Sequence, residues 1–215
     1  MQISWNGLGS FVISGKPIQG EVSLVTDPYQ NETGLRFPRT LSASLVVQSH
    51  QSEMADNLEA VASPEDKKTF VVHHAGEYEV SGIFVTGVNA PLKDGTAHTV
   101  YRIELEDISI GFLGALDREL TDKEMEYLGA IDILIVPAGG GSVLNAKGAA
   151  GVVGQIEPRL VIPSYVQVDG LKTKLDSEDA FIKELGVSKE EMNKLKITKS
   201  ALPQEDMGVI VLSRS

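Results

Sequence analysis

Ile131-Asp132-Ile133-Leu134-Ile135-Val136-Pro137-Ala138-Gly139-Gly140-Gly141 is the stretch on which the fold turns. Its apolar run over 131–136 is broken only by Asp132 and does not alternate with polar residues, the pattern of a strand covered on both faces. The glycines behind it let the backbone turn and come close to other segments. They do not form a phosphate loop. Neither Gly-x-Gly-x-x-Gly nor Gly-x-x-x-x-Gly-Lys-Ser/Thr fits, because Leu144 and Ala146 stand where glycine is required.

Around this strand the second half of the chain alternates helix and strand. Thr121-x-x-Glu124 is a capping-box pattern, opening a helix that ends near Gly129. After the glycines come a helix over about 145–154 and a strand at 160–162. Phe181 and Leu185 mark a helix closed by Gly186, the pattern Ser188-x-x-Glu191 predicts another, and 209–212 is a last strand. The first half is β-rich. Strands at 2–5, 10–14 and 21–26 are separated by the turn signals Asn6-Gly7, Gly15-Lys16-Pro17 and Asp27-Pro28. A strand at 41–47 leads into a short helix over 53–61, with Met54, Leu58 and Val61 on one face. Strands at 69–73, 78–87 and 99–105 follow, and Glu106-Asp107 turns the last of these into a hairpin with 108–113. The sum is an α/β sandwich forming one domain over 1–215.

Composition narrows the function. Hydrophobic residues at 42% and charged residues at 23% exclude wholesale disorder. A net charge of -11 repels phosphate backbones, so nucleic acid is not an expected partner. The lysines 183, 189, 194, 196 and 199 are interleaved with glutamates and read as a solvated helical face. There is no cysteine, which removes disulfides, thiolate metal sites and cysteine nucleophiles. The start of the chain lacks signal-peptide character and no stretch has the length of a membrane span, so a cytoplasmic, membrane-independent protein is expected.

Several segments in this order carry a resemblance. They are Ile3-Ser4-Trp5-Asn6-Gly7 with Ser10-Phe11-Val12-Ile13, Asp27-Pro28-Tyr29, a strand running into Ser49-His50, Gly76 to Gly82, Arg118 to Asp122, Ile131 to Gly141, and Ile156 to Pro163. Together the chain resembles the metallo-β-lactamase fold, closest to its small ascorbate-lactonase-like branch of metal-dependent hydrolases. That resemblance implies a four-layer αββα sandwich, two mixed sheets flanked by helices. It also implies zinc, held by the signature Thr/Ser-His-x-His-x-Asp-His between a strand end and a helix start. Imidazoles and a carboxylate converging there hold one or two ions and leave room for an activated water.

Here the equivalent stretch is Ser49-His50-Gln51-Ser52-Glu53-Met54-Ala55-Asp56-Asn57. His50 matches the first histidine, Ser52 and Ala55 replace the next two, and Met54 replaces the aspartate. Ala115 follows Gly114 where the family places another aspartate, and Tyr165 stands where it places a histidine after Ile162-Pro163. The loop Asn89-Ala90-Pro91-Leu92 has no histidine either. Asp27 matches an aspartate that buttresses the ligand loop. The vestigial positions are therefore Asp27, His50, Ser52, Met54, Ala55, Ala115 and Tyr165, with no catalytic or metal ligand set among them and no cofactor expected.

Other readings stay beside this one. His50 reads as closing the strand end, with a relic ligand or a general base as the alternative. Ser49 and His50 are adjacent on an extended chain and are expected to face opposite ways, so they make no dyad. No Gly-x-Ser-x-Gly elbow exists. Asp56 and Glu53, with His73, His74 or His98, are the only material for a rebuilt site. Asp27 reads as capping loop amides, and Met54 and Tyr165 as filling an emptied site. The expected function is a catalytically inactive, zinc-free binding, regulatory or assembly module, working with an unknown protein partner or by self-association. The alternative is a hydrolase with a rebuilt or atypical site acting on a phosphodiester, lactone or other ester.

Overall fold

The computed structural model describes residues 1–18, 20–65 and 68–215. In chain order the elements are β1 (Gln2–Gly7), β2 (Ser10–Gly15), β3 (Val22–Thr26), β4 (Leu45–Val47), β5 (Phe70–Val72), β6 (Gly76–Val80), β7 (Ile83–Asn89), β8 (Thr99–Leu105), β9 (Ile108–Phe112), α1 (Asp122–Leu128), β10 (Ile133–Pro137), α2 (Ala146–Ile156), β11 (Leu160–Ser164), α3 (Glu178–Leu185), β12 (Lys189–Met192), β13 (Leu195–Lys196) and β14 (Gly208–Leu212). They make two mixed sheets, ordered β13-β1-β2-β3-β4-β5 and β12-β14-β11-β10-β9-β8-β7-β6.

β10 is buried at every position and lies between two parallel neighbours, β9 and β11. Its uninterrupted hydrocarbon therefore has a wall on each face. One apolar cluster fills the space between the sheets and reaches α2 and α3, with Ile13, Leu24, Leu45 and Val47 on one side and Ile103, Ile110, Ile133 and Ile135 on the other. A second cluster covers the opposite face of the six-stranded sheet, where Val25 and Val46 meet Tyr29, Leu35, Phe37 and Tyr165. Val46 falls on a different side from Leu45 and Val47 because neighbours in a strand alternate. Each fully buried Leu, Ile, Val or Phe is worth roughly 1.5–3 kcal/mol, so these two clusters carry the fold.

The Thr121 capping box forms as read: the Glu124 amide donates to Thr121 Oγ1, and Glu124 Oε2 accepts from the Thr121 amide at 2.8 Å. Two helices of the sequence reading do not form. Over 53–61 only a 3-10 turn, Leu58–Ala60, is present. The Glu53 carbonyl accepts from the Gln30 amide at 2.7 Å and the Asn57 amide donates to the Pro28 carbonyl at 2.8 Å. Long-range bonds to the 28–30 loop take the groups a helix would have used. Lys189–Met192 is likewise a strand, paired in parallel with β14 from Lys189↔Val209 to Met192↔Leu212. The predicted strand at 41–47 keeps only Leu45–Val47 and an isolated bridge at Ser42.

No helix among the described residues is long and apolar enough to cross a membrane. β3 runs parallel to β4, and β9, β10 and β11 run parallel to one another. Asp27, Gln48 to His50, Leu113 to Ala115, and Tyr165 all follow directly on the carboxyl ends of these strands. That edge is where open α/β sheets hold their ligands.

Candidate functional site

Asp27 is fully buried at this edge and has a positive φ of 34°. Its carboxyl accepts from the Ser49 amide at 2.7 Å and from Ser49 Oγ at 2.6 Å. Both bonds favour the ionised form, yet burial outweighs them and pushes the carboxyl up to about 7. Ser49 Oγ also lies 2.9 Å from His50 Nδ1, and His50 Nε2 lies 2.8 Å from Ser52 Oγ. The adjacent pair Ser49–His50 is thus in contact, against the expectation of opposite faces. It lies beyond the end of β4, where strand alternation no longer applies.

The structure brings to this corner a residue that the sequence reading named only among the chain's other histidines. His98, directly before β8, is buried and sits with its ring centroid 5.9 Å from that of His50. Its Nδ1 donates to the Ala90 carbonyl at 3.1 Å, which leaves Nε2 without a proton, and that nitrogen is buried with no partner. A methyl added at Gly114 (φ +54°) would overlap Ser49 Oγ and lie 2.9 Å from His98 Nε2. Glycine is what keeps this corner open. Burial pushes His50 down to about 4, against the attraction of Asp56, and His98 down to about 3, helped by repulsion from His50. A signal for His98 existed: the two-residue turn at Glu106-Asp107 sets β8 against β9 with Tyr101↔Phe112 in register. Continuing that register brings residue 98 opposite Ala115.

The remaining positions are hydrocarbon. Ala55 is fully buried, Ala115 and Tyr165 belong to the cluster on the outer sheet face, and Met54 packs against it. Tyr165 is 1% exposed, with its hydroxyl 3.5 Å from Asp27 Oδ2, and burial raises its pKa well above the ordinary phenol value. A side chain at Gly9 would meet the Tyr165 ring at 2.7 Å, so the phenol occupies space that a glycine yields. Asp56 and Glu53 are exposed, and Asp56 contacts Gln30 Nε2 at 3.3 Å. They do not join the corner.

Beside it opens a cleft of about 630 Å³ whose lining includes His50, His73, His74 and His98. These are all four histidines of the chain. The cleft's other lining residues, among them Gln51, Asn89, Thr96 and Thr99, carry no formal charge.

Over residues 2–165 the chain matches the model of the beta-lactamase superfamily domain. Among solved structures it is similar to a candidate Zn-dependent hydrolase of the metallo-β-lactamase superfamily from Thermotoga maritima, at 29% identity and TM-score 0.80, covering 98% of both chains. It is similar in fold to a candidate metal-dependent hydrolase from Parabacteroides distasonis (15% identity, TM-score 0.66, 98% of this chain and 91% of that one). The same holds for the diiron β-hydroxylase CmlA from Streptomyces venezuelae (12%, TM-score 0.60, 85% of this chain and 49% of that one). No curated protein matches.

The Thermotoga maritima relative, described as Zn-dependent, overturns the expectation of a chain without a cofactor. The side chains at the vestigial positions still do not fit such an ion. Ser52, Met54, Ala55, Ala115 and Tyr165 offer two hydroxyls, a thioether and two methyl groups where imidazole and carboxylate are required. Among the described residues no three His, Asp or Glu side chains are placed to hold one ion together.

Proposed function

Because this chain belongs to the metallo-β-lactamase superfamily, we propose a function from what it has kept and lost on that scaffold: it binds, and does not hydrolyse at the inherited position. It acts as a binding, regulatory or assembly module that keeps the ligand edge of the fold as a histidine-lined cleft. One observation carries this reading. The corner where a hydrolytic water would be activated is packed with Met54, Ala115 and Tyr165 as part of an apolar cluster. A buried phenol and a partly buried thioether stand where coordinating groups are required, and no step of hydrolysis runs through them.

A second reading rests on a different observation. Ser49 Oγ donates to Asp27 Oδ2 and lies 2.9 Å from His50 Nδ1, a hydroxyl between a carboxyl and an imidazole. An ester hydrolase with an atypical site would use that arrangement. Turnover of generic lactone, ester and phosphodiester substrates by untagged protein, with and without added Zn²⁺, separates the two. The binding module shows no hydrolysis above buffer, and His50→Ala changes nothing. Turnover that falls at least about tenfold in His50→Ala establishes the second reading instead.

A further inference from the structure

The eight-stranded sheet ends on β6, and among the described residues no strand pairs with the outer side of it. We infer that this edge is a docking site for an extended, basic segment of a partner protein, which adds to the sheet as a further strand and sets lysine or arginine side chains against Glu77 and Glu79. The inference rests on the assembly reading above and names the partner's chemistry, on a face outside the histidine cleft.

β6 is the longest of the strands that end a sheet, five residues against four in β12, three in β5 and two in β13. Its antiparallel ladder to β7 runs from Gly76↔Gly87 to Val80↔Ile83 without a shift. Alternate amides and carbonyls along it therefore point away from β7. Folds ordinarily blunt such an edge with a bulge, a proline or charge. β6 has neither bulge nor proline, and its charge is of one sign only, Glu77 and Glu79.

Tyr78 and Val80 pack against the core between the sheets, so the two glutamates stand on the opposite face of the strand. The register builds rows there. Glu79, Phe84 and Glu104 lie side by side across β6, β7 and β8, and Glu77, Thr86 and Arg102 form the next row. Arg102 is taken by Glu104 at 3.2 Å. Glu77 and Glu79 are exposed and have no ion pair or hydrogen bond among the described residues. Phe84 is 53% exposed, and its ring offers hydrocarbon to the stem of a lysine or arginine and a π face to the head. Alongside runs a groove of about 470 Å³, lined by Gly76, Glu77, Thr86 and Val88 and by Tyr127 of α1. Its lysine, Lys123, lies over the Tyr127 ring at 5.9 Å. A chain laid along β6 finds room there for its alternate side chains.

The signs choose the occupant. Antiparallel pairing of β6 with β6 of a second copy sets glutamate against glutamate, and like charges directly opposite destabilise a sheet. A cationic side chain opposite each carboxylate stabilises it instead. The net charge of -11 also draws a basic segment toward the protein.

The test uses ¹⁵N-labelled protein and a short synthetic peptide of alternating lysine and valine, with two control peptides, one with glutamate in place of lysine and one with proline at its centre. With the lysine peptide, amide shifts gather on Gly76 to Val80 and Tyr127, and outward amides of β6 exchange with solvent at least about tenfold more slowly. Neither control does this. The double variant Glu77→Lys/Glu79→Lys binds the lysine peptide at least about tenfold more weakly and takes the glutamate peptide instead. Both side chains are exposed and unpartnered, so the variant keeps the fold. No binding, shifts scattered over the acidic surface or gathered on the histidine cleft, binding of the proline peptide, or unchanged affinity in the double variant overturns the assignment. Ester turnover by the same sample defeats the binding reading above and leaves this edge site standing.

Discussion

Tyr165→Ala is expected to lower folding stability by about 3–5 kcal/mol, read from urea denaturation, because a fully buried aromatic ring is removed from a closed cluster. That is a large share of the 5–15 kcal/mol that holds an ordinary domain together. Tyr165→Phe keeps the ring and loses only the hydroxyl, whose 3.5 Å contact with Asp27 is at the limit of a hydrogen bond, so it costs less than about 1 kcal/mol. The difference between the two variants is the informative quantity. A residue kept to fill space depends on its ring, whereas one kept for chemistry depends on its hydroxyl. If Tyr165→Ala costs under about 1 kcal/mol, the corner is not packed core and the account of it fails.

The second large effect is in pH. Asp27 has a folded pKa raised by burial to about 7 from 3.8, so its stabilising contribution is complete below 3.8 and is lost as pH rises through 7. His50 and His98 behave oppositely. Their folded values fall to about 4 and about 3 from 6.5, so their contribution is present above 6.5 and is lost on acidification. Between about 4 and 6.5 the unfolded chain holds two histidine protons that the folded one lacks, and the folded chain holds one aspartate proton that the unfolded one lacks. The net difference, 2 − 1 = 1 proton, makes stability fall by about 1.4 kcal/mol for each pH unit of acidification. The lowered carboxyls of Glu106, Glu124 and Asp132 act in the same direction, only near the acid end of the window.

Asp27→Asn removes the opposing term. Its slope is expected to be about two protons, roughly twice as steep as the parent's, over the same window. Unfolding free energies at a series of pH values, with a chelator present so that no ion competes for the imidazoles, check this. An unchanged slope in Asp27→Asn means that the carboxyl is ionised in the fold, and that desolvation does not outweigh its two bonds from Ser49.

The sheets were legible in the sequence because their signals are local. Glu106-Asp107 turns its hairpin with positive φ at both residues, and the run at 133–137 is buried on both faces as its composition demands; the strand read at 78–87 is instead two, Gly76–Val80 and Ile83–Asn89, folded back at Ser81-Gly82, where φ is also positive at both residues. The failures came where a distant partner outbid a local pattern. Thr121-x-x-Glu124 caps a helix, yet Ser188-x-x-Glu191 of the same form lies in a strand because β14 offers 189–192 a parallel ladder. Met54, Leu58 and Val61 share a face on paper, but the loop at 28–30 claims the backbone bonds that a helix over them needs.

The site divided in the same way. Each position read as vestigial follows within three residues of a strand end or lies in the loop behind β4, so chain neighbours sufficed to point to it. His98 could not be assigned by such matching, because it stands before a strand and reaches the corner only through the β8–β9 register. The contact between Ser49 and His50 was hidden by a rule valid for strands and applied two residues past the end of one. The gathering of all four histidines on one cleft is a property of the fold and appears in no linear pattern.

The direct measurement is anomalous diffraction from a crystal of untagged protein soaked in Zn²⁺. The expected map has no zinc peak within coordination distance, about 2.0–2.3 Å, of Ser52, Met54, Ala55, Ala115 or Tyr165. A peak bounded by those five side chains would contradict the account, since it would place the metal where hydrocarbon is said to have closed the site.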